Sequence, residues 1–238
     1  MIRVYCDFDG TVCRDDVGEL LFRFFAGERA VRIVRRYRAG EVNARECLEQ
    51  ECGAVDNLRL EDLEVFIEPF ELDPSFAAFA AWCETQGFPL TILSDGLDVY
   101  VGRLLERGGF GRLPWFANHA ELQHKGERLR LIPSFPHRDA ECPQCANCKR
   151  NHMLTMSGDD DVIVYVGDGI SDRCPARYAD VVYAKNGLAA YCQEQNITYH
   201  AYADFGDVRE HLGRLLRMRR VRRRQTAYHA RRQAFLQG

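Results

Sequence analysis

The 238-residue chain is 46% hydrophobic and 28% charged, without low-complexity tracts. That balance excludes a fibrous or intrinsically disordered protein and suffices for one sizeable α/β core with a small appendage. The net charge of −3 is unevenly spread: nine arginines and no acidic residue follow from Arg214 onward, leaving −12 for the rest (−3 minus 9). No apolar run approaches a membrane span, and a strand-like run starts at Ile2, so no membrane partner and no export signal is expected. The ten cysteines are then expected as reduced thiols in a cytoplasmic protein.

Ile2–Cys6 reads as a buried strand that breaks at Gly10, within Cys6-Asp7-Phe8-Asp9-Gly10-Thr11-Val12. From Asp16 to about Phe70 the pattern is helix after helix. Leu20, Leu21, Phe24 and Phe25 recur at helical spacing, as do Val31, Val34 and Tyr37. A third helix starts at Asn43, and a fourth covers Leu60–Ile67 before Pro69. The short links Val12–Asp16 and Glu71–Pro74 favour a separate lid, residues 13–73, over helices that merely pack on a sheet. Residues 1–12 and 74–238 would form the core.

From Pro74 the chain alternates. A helix from Ser75 to Gln86 precedes a strand at Pro89–Leu93, and a helix from Leu97 to Arg107 follows. Trp115–Ala120 leads into a hairpin, Leu122–Ile132, turning near Lys125-Gly126. Val162–Val166, Val181–Ala184 and Thr198–Tyr202 are further strands, and one long helix runs from Asp207 into the arginine tail. This pattern predicts an α/β fold with a doubly wound parallel sheet, its site beyond the carboxyl ends of the strands. Asp7, Ser94 and Asp168 each stand just past such an end. The tail itself reads as a solvated or body-paired helix dispensable for catalysis; nucleic-acid contact is the weaker reading.

Taken singly, each candidate has an ordinary reading. Asp-Gly is a turn, Ser94 a helix N-cap, and Lys149 a surface lysine. Asp7 and Asp9, two apart at one strand tip, repel unless a cation intervenes, and Mg²⁺ suits oxygen ligands. In this chain order, strand-Asp7-x-Asp9-Gly-Thr, strand-Ser94-Asp95-Gly96, Lys149 and strand-Gly167-Asp168-Gly169-x-x-Asp172 resemble the four motifs of the haloacid dehalogenase-like phosphatases. The helical insert resembles the small cap of their phosphoserine phosphatase-like branch.

The resemblance implies an Mg²⁺-dependent phosphomonoesterase for small phosphorylated metabolites, acting through an aspartyl-phosphate. Asp7 would be the nucleophile and Asp9 the acid and base. Asp7, Asp168 and the Asp9 carbonyl would hold Mg²⁺, and Asp172 would support the metal's water or Lys149. Ser94, Asp95, Gly96 and Lys149 would hold the phosphate. Within the branch, Cys142-Pro-Gln-Cys145-Ala-Asn-Cys148-Lys149, Phe116-Ala-Asn-His119-Ala and Cys192-Gln-Glu-Gln-Asn196 look like the methionine-salvage phosphatases of 2-hydroxy-3-keto-5-methylthiopentenyl-1-phosphate. Gly167-Asp-Gly-x-x-Asp-x-Cys174-Pro175 looks like the phosphoethanolamine/phosphocholine phosphatases. Phosphoserine phosphatases are less similar: they carry Ser where this chain has Gly10, and Glu where it has Asp16. Phe22, Phe24 and Phe25 could line a pocket for a methylthio tail, although such stripes are usually core.

Cys142, Cys145 and Cys148 have the spacing of thiolates on a structural Zn²⁺, with His137, His152 or a water as a fourth ligand; free thiols are the alternative. A different class stays open, a non-catalytic zinc-bearing binder of nucleic acid or protein. The paired acids at the first strand tip argue against it. The sequence carries no signal of oligomeric state.

Overall fold

The computed structural model describes residues 1–219 and 221–237. Seven strands form one sheet in the order β4-β3-β2-β1-β5-β6-β7. These are β1 (Ile2–Asp7), β2 (Leu90–Leu97), β3 (Trp115–Lys125), β4 (Arg128–Ser134), β5 (Val162–Gly167), β6 (Val181–Ala184) and β7 (His200–Ala201). All neighbours are parallel except the β3–β4 hairpin. Central β1 pairs with β2 on one side and β5 on the other, with Val4 opposite both Leu90 and Val164. The strand order reverses there, so a crevice opens beyond the carboxyl ends of these three strands.

The period of two along β1 explains its burial on both faces. Val4 and Cys6 join one apolar cluster and Tyr5 the other. The first cluster packs against α5 (Phe76–Thr85), α6 (Asp98–Arg107) and α10 (Phe205–Arg217). The second packs against α7 (Lys149–Met156), α8 (Arg173–Tyr178) and α9 (Asn186–Glu194).

Between β1 and α5 lie α1 (Val17–Ala26), α2 (Glu28–Arg38), α3 (Ala44–Ala54) and α4 (Leu60–Ile67). Asp16 caps α1 through the Glu19 N–H at 2.8 Å, and Asn43 with Glu46 forms a capping box on α3. The insert leaves and rejoins through one neck, where Cys13 bridges Leu72 and the Asp73 N–H donates to the Val12 carbonyl at 2.8 Å. It also rests on the hairpin, since the Leu129 N–H donates to the Leu58 carbonyl at 2.7 Å.

Three local expectations change. The run from Trp115 continues unbroken to Lys125, because Trp115–Asn118 lie along β2 and each residue from His119 to Lys125 finds a partner on β4. Ser94 lies in an irregular stretch of β2 between Leu93 and Leu97, and Leu97, not Ser94, precedes α6. The single terminal helix is two, α10 and α11 (Gln225–Gln237), with Arg219 at φ 53° past the end of α10. The chain turns back because Asp180 draws it in. The buried Asp180 carboxylate accepts from the Ile163 N–H (2.9 Å), the Arg224 N–H (3.0 Å) and Arg231 Nη2 (3.1 Å). Arg231 Nη1 also donates to the Tyr178 carbonyl at 2.6 Å, and Arg223 pairs with Asp160. These tail arginines are body-paired, while Arg220 lies outside the described residues. Among the described residues, no helix is long and apolar enough to cross a membrane.

Arg231→Ala leaves the buried Asp180 short of a charge partner and is expected to lower stability by about 2–3 kcal/mol. Exposed Arg232→Ala should cost less than about 0.5 kcal/mol. Urea unfolding of both variants checks the contrast.

Candidate active site

Asp7 ends β1 inside the crevice, 4% exposed, and the loop Phe8–Val12 then turns back on itself. The turn is closed by the Cys13 N–H on the Phe8 carbonyl at 2.9 Å. Gly10 has φ +72°, and a Cβ there would stand 2.6 Å from Asp168 Oδ2. Only glycine lets the first loop approach the tip of β5 so closely.

From that tip, Asp172 organises the next turn. Its Oδ2 accepts the N–H groups of Asp168 (2.8 Å) and Gly169 (3.0 Å). Its Oδ1 accepts from the Tyr165 hydroxyl (2.5 Å) and Lys149 Nζ (2.7 Å). Lys149 opens α7, is 1% exposed, and also donates to Asp7 Oδ1 at 2.5 Å and Ser171 Oγ at 2.8 Å. Burial would pull the Lys149 ammonium down, but Asp172, Asp7 and Asp95 outweigh it and hold the charge. Asp172 thus contacts Lys149 directly, and four donors occupy its two oxygens.

Asp7, Asp168 and Asp172 each offer a carboxylate oxygen within 4.8 Å of the others. With Asp172 engaged, the acceptor capacity left for a cation sits on Asp7 and Asp168. Asp168 receives only longer bonds, from Thr11 Oγ1 (3.3 Å) and Asn186 Nδ2 (3.2 Å). Burial and then Asp172 push the Asp7 carboxyl well up, against Lys149. Burial and Asp172 raise Asp168 too. An all-oxygen set of crowded carboxylates that a cation would hold ionised fits Mg²⁺.

Asp9 faces the other way. Its Oδ1 accepts the Gly18 N–H at 3.2 Å, and its Oδ2 accepts the Tyr100 hydroxyl at 3.0 Å and Ser94 Oγ at 3.2 Å. Burial, then Asp16, pushes its carboxyl up to about 7, with the three donors opposing. Gly96 makes room for this network: a Cβ there would lie 1.7 Å from the Tyr100 hydroxyl. The Gly96 N–H donates to Ser94 Oγ at 3.0 Å. The Asp95 carboxylate turns aside and accepts the Asn147 N–H at 2.9 Å. Asn147 Nδ2 donates to the Ser94 and Phe116 carbonyls (2.8 and 3.0 Å), and Asn118 Nδ2 to the Asp95 carbonyl (2.7 Å).

Sequence reasoning missed Tyr100, Tyr165, Ser171, Asn118 and Asn147. The two tyrosines fall inside the predicted helix from Leu97 to Arg107 and the strand Val162–Val166 with no feature to set them apart. Asn147 stood in the quoted cysteine segment two residues before Lys149, which was its one signal. Cys142, Cys145 and Cys148 do come together, their Sγ atoms within 4.8 Å of one another. The two histidines proposed to join them do not. His152 bonds Asn147 Oδ1 at 2.8 Å and stacks on Phe116, and His137 packs edge-on against both rings.

A cavity of about 550 Å³ separates the strand tips from α1–α3. Asp7, Asp9 and Asp168 line it from the sheet, and Phe22, Tyr37 and Glu51 from the helices. Phe24 and Phe25 do not reach it. Both rings pack on Phe66, on the far side of α1, and Phe24 is 72% exposed. Glu51, by contrast, is buried, and its carboxyl is pushed up to about 8, first by burial and then by Asp16 and Glu19 against a Cys47 thiol contact.

Residues 4–177 match the model of the haloacid dehalogenase-like hydrolases. Proteins of Bacillus cereus (strain AH187) and Bacillus anthracis named 2-hydroxy-3-keto-5-methylthiopentenyl-1-phosphate phosphatase are 28% identical over 221 residues, covering 92% of this chain and 99% of theirs. A solved phospho-aspartyl intermediate analogue of phosphoserine phosphatase superposes with a TM-score of 0.66 at 16% identity, over 89% of this chain and 99% of that one. A substrate-bound phosphoserine phosphatase complex also gives 0.66, at 17% identity and 89% and 98% coverage. The described sheet, with its seven mostly parallel strands and helices on both faces, is the fold these structures share. The chain therefore belongs to the haloacid dehalogenase-like hydrolases and is an enzyme of their phosphatase class.

Proposed function

We propose that the protein hydrolyses a small phosphorylated metabolite through an aspartyl-phosphate on Asp7. One observation carries the reading. Two carboxylates at one strand tip have opposite settings: Asp7 meets an ammonium, and Asp9 meets only neutral donors while burial raises its carboxyl to about 7. Environments that separate two acids in this way assign their roles. An Asp7 oxygen attacks phosphorus as the bond to the leaving oxygen breaks, and Asp9 gives that oxygen its proton. Asp9 then takes a proton from water, which attacks phosphorus, and the bond to Asp7 breaks to release inorganic phosphate. A pKa near the working pH suits a group that must both give and take a proton.

Ser94, the Gly96 backbone and Lys149 hold the phosphoryl oxygens, with Asp95 fixing the loop. Asp7 and Asp168, with the Asp9 carbonyl, would hold Mg²⁺, the ion this family generally uses. When bound, it supplies positive charge against the transferring group. Residues 13–73 serve as the cap over a core of 1–12 and 74–238, and ten free thiols suit a cytoplasmic setting.

For the substrate we favour the methylthio-bearing 2-hydroxy-3-keto phosphate named for the Bacillus relatives. Near-complete coverage supports it, as do Phe22, Val34 and Leu48 around the cavity. A protonated Glu51 can donate to an oxygen of such a neutral chain. A second reading is a small cationic ester such as phosphoethanolamine or phosphocholine, or phosphoserine. Asp16 and Glu51 favour it, because carboxylates at the cavity could meet an amine. Turnover of both classes measured side by side decides between them.

Asp7→Asn should abolish Mg²⁺-dependent phosphate release, and near-wild-type turnover would refute the assignment. Asp9→Asn should lower turnover by ~10²–10⁴-fold while leaving the Mg²⁺ activation constant nearly unchanged. Tyr100→Phe removes a donor that stabilises ionised Asp9. The descending limb of kcat/KM with pH, governed by protonated Asp9, should therefore move to higher pH.

Glu51 makes a separate prediction. From about pH 4.5 to about pH 8 the unfolded chain has released the Glu51 proton while the fold retains it, so stability falls as pH rises through this window. Glu51→Gln removes that loss. Its stability advantage should grow by at least about 1 kcal/mol across the window in urea titrations at several pH values.

A further inference from the structure

The cysteine segment lies outside the chemistry just described, but it adjoins two of its parts. Residues 142–148 lead directly into Lys149, and α8 begins directly after Asp172. Cys142 Sγ stands 3.5 Å from Cys145 Sγ, and Cys148 Sγ completes a trio within 4.8 Å. Zn–S bonds near 2.3 Å with tetrahedral angles put ligand sulfurs about 3.8 Å apart, so the trio already has the spacing of three corners. The fourth corner would come from α8: the Cys174 thiol is a neighbour of Cys145 but stands outside the 4.8 Å trio. Backbone N–H groups of Gln144 and Cys145 point at Cys142 Sγ, and that of Asn151 at Cys148 Sγ. Such N–H···S bonds orient and stabilise thiolates around a metal. The Arg150 and Arg177 guanidinium groups add positive charge near Cys174.

The other six cysteines are singly buried in the two apolar clusters or against the neck and α3, and none is part of this group. A disulfide between Cys142 and Cys145 would use two thiols and leave the other two unexplained. A tetrahedral soft ion uses all four.

We propose that Cys142, Cys145, Cys148 and Cys174 bind one structural Zn²⁺ that clamps the segment carrying Lys149 to the turn carrying Asp172. Closing the site asks Cys174, a neighbour of Cys145 on α8, to move in toward the trio. All four ligands are sulfur and the site is closed, so the ion is structural and meets no substrate. Its effect on turnover rests on the phosphatase reading; the binding itself does not. With the clamp in place, the Lys149 ammonium and the Asp172 carboxylate are delivered by two cross-linked loops instead of by packing alone.

The test is metal content of the full chain purified under reducing conditions without chelator. Wild type and Cys192→Ala should each carry about one zinc per chain. Cys145→Ser should carry almost none, and Cys174→Ser should lose most of it. A mercurial reagent added to wild type should release the zinc as these thiols react, a reading that needs no variant to fold. Co²⁺ exchanged into wild type should give the intense visible bands of a tetrahedral all-thiolate site, and Cys174→His should shift them. Wild type without zinc and with all four thiols freely titratable would overturn the proposal. So would a folded Cys174→Ser with a wild-type zinc content and an unchanged Co²⁺ spectrum, which would exclude the fourth ligand. Neither result depends on hydrolysis, so failure of the metal site and failure of the phosphatase reading are distinguishable.

Discussion

The buried ammonium of Lys149 between Asp7 and Asp172 is the contact on which the rest depends. Three carboxylates that approach within 4.8 Å repel strongly in a site with little water. At an effective dielectric constant of 20, two unit charges 4 Å apart interact by about 4 kcal/mol. Lys149 cancels one of the three negative charges. The remaining −2, if all are ionised, is the charge of one divalent cation with the sign reversed. On the proposed reading, a phosphate dianion would enter such a place only once a cation had offset that charge. The need for it is therefore electrostatic before it is chemical.

The sheet supplies the crowding at little conformational cost. β1 sits where the strand order reverses, so its tip is flanked by the tips of β2 and β5. The residues that follow these tips converge because the strands are parallel and in register, with no long loop to be ordered. Glycine at positions 10 and 96 then allows the last approach, against Asp168 and against the Tyr100–Asp9 pair. Polar residues around the site are held by neighbours from distant sequence, such as Tyr165 on β5 and Asn147 before α7. Such networks lock rotamers that isolated side chains would leave free.

Much of this was legible in the sequence because strand ends announce themselves. Apolar runs followed by Asp and then Gly put Asp7 and Asp168 at strand tips, where the fold has them, whereas Ser94 falls inside the irregular stretch of β2. What the pattern could not carry was direction. Phe22, Phe24 and Phe25 lie on one helix, yet only Phe22 enters the cavity, because the others meet Phe66 on α4. Tyr100 reads like any core aromatic until the fold aims its hydroxyl at Asp9. Cys174 is far along the chain from Cys148, and only the packing of α7 beside α8 brings it near. The break before α11 depends on Asp180, a single buried acid whose partners in the tail lie more than forty residues away.

The attachment of Leu58 to Leu129 has a mechanical consequence. A domain joined to its neighbour by one neck can swing as a door does, about a single axis. Here the helical insert is also stitched to the hairpin by a backbone bond, and α3 is held to the cysteine segment where the Ala44 N–H meets the Gln144 carbonyl at 3.0 Å. With these attachments and the Gly18–Asp9 bond, a rigid rotation about the neck breaks hydrogen bonds or carries the hairpin along. Traffic through the entrance is then governed by how readily a two-stranded ribbon flexes. The stiffness of β3–β4, remote from the reacting atoms, becomes a property of the gate.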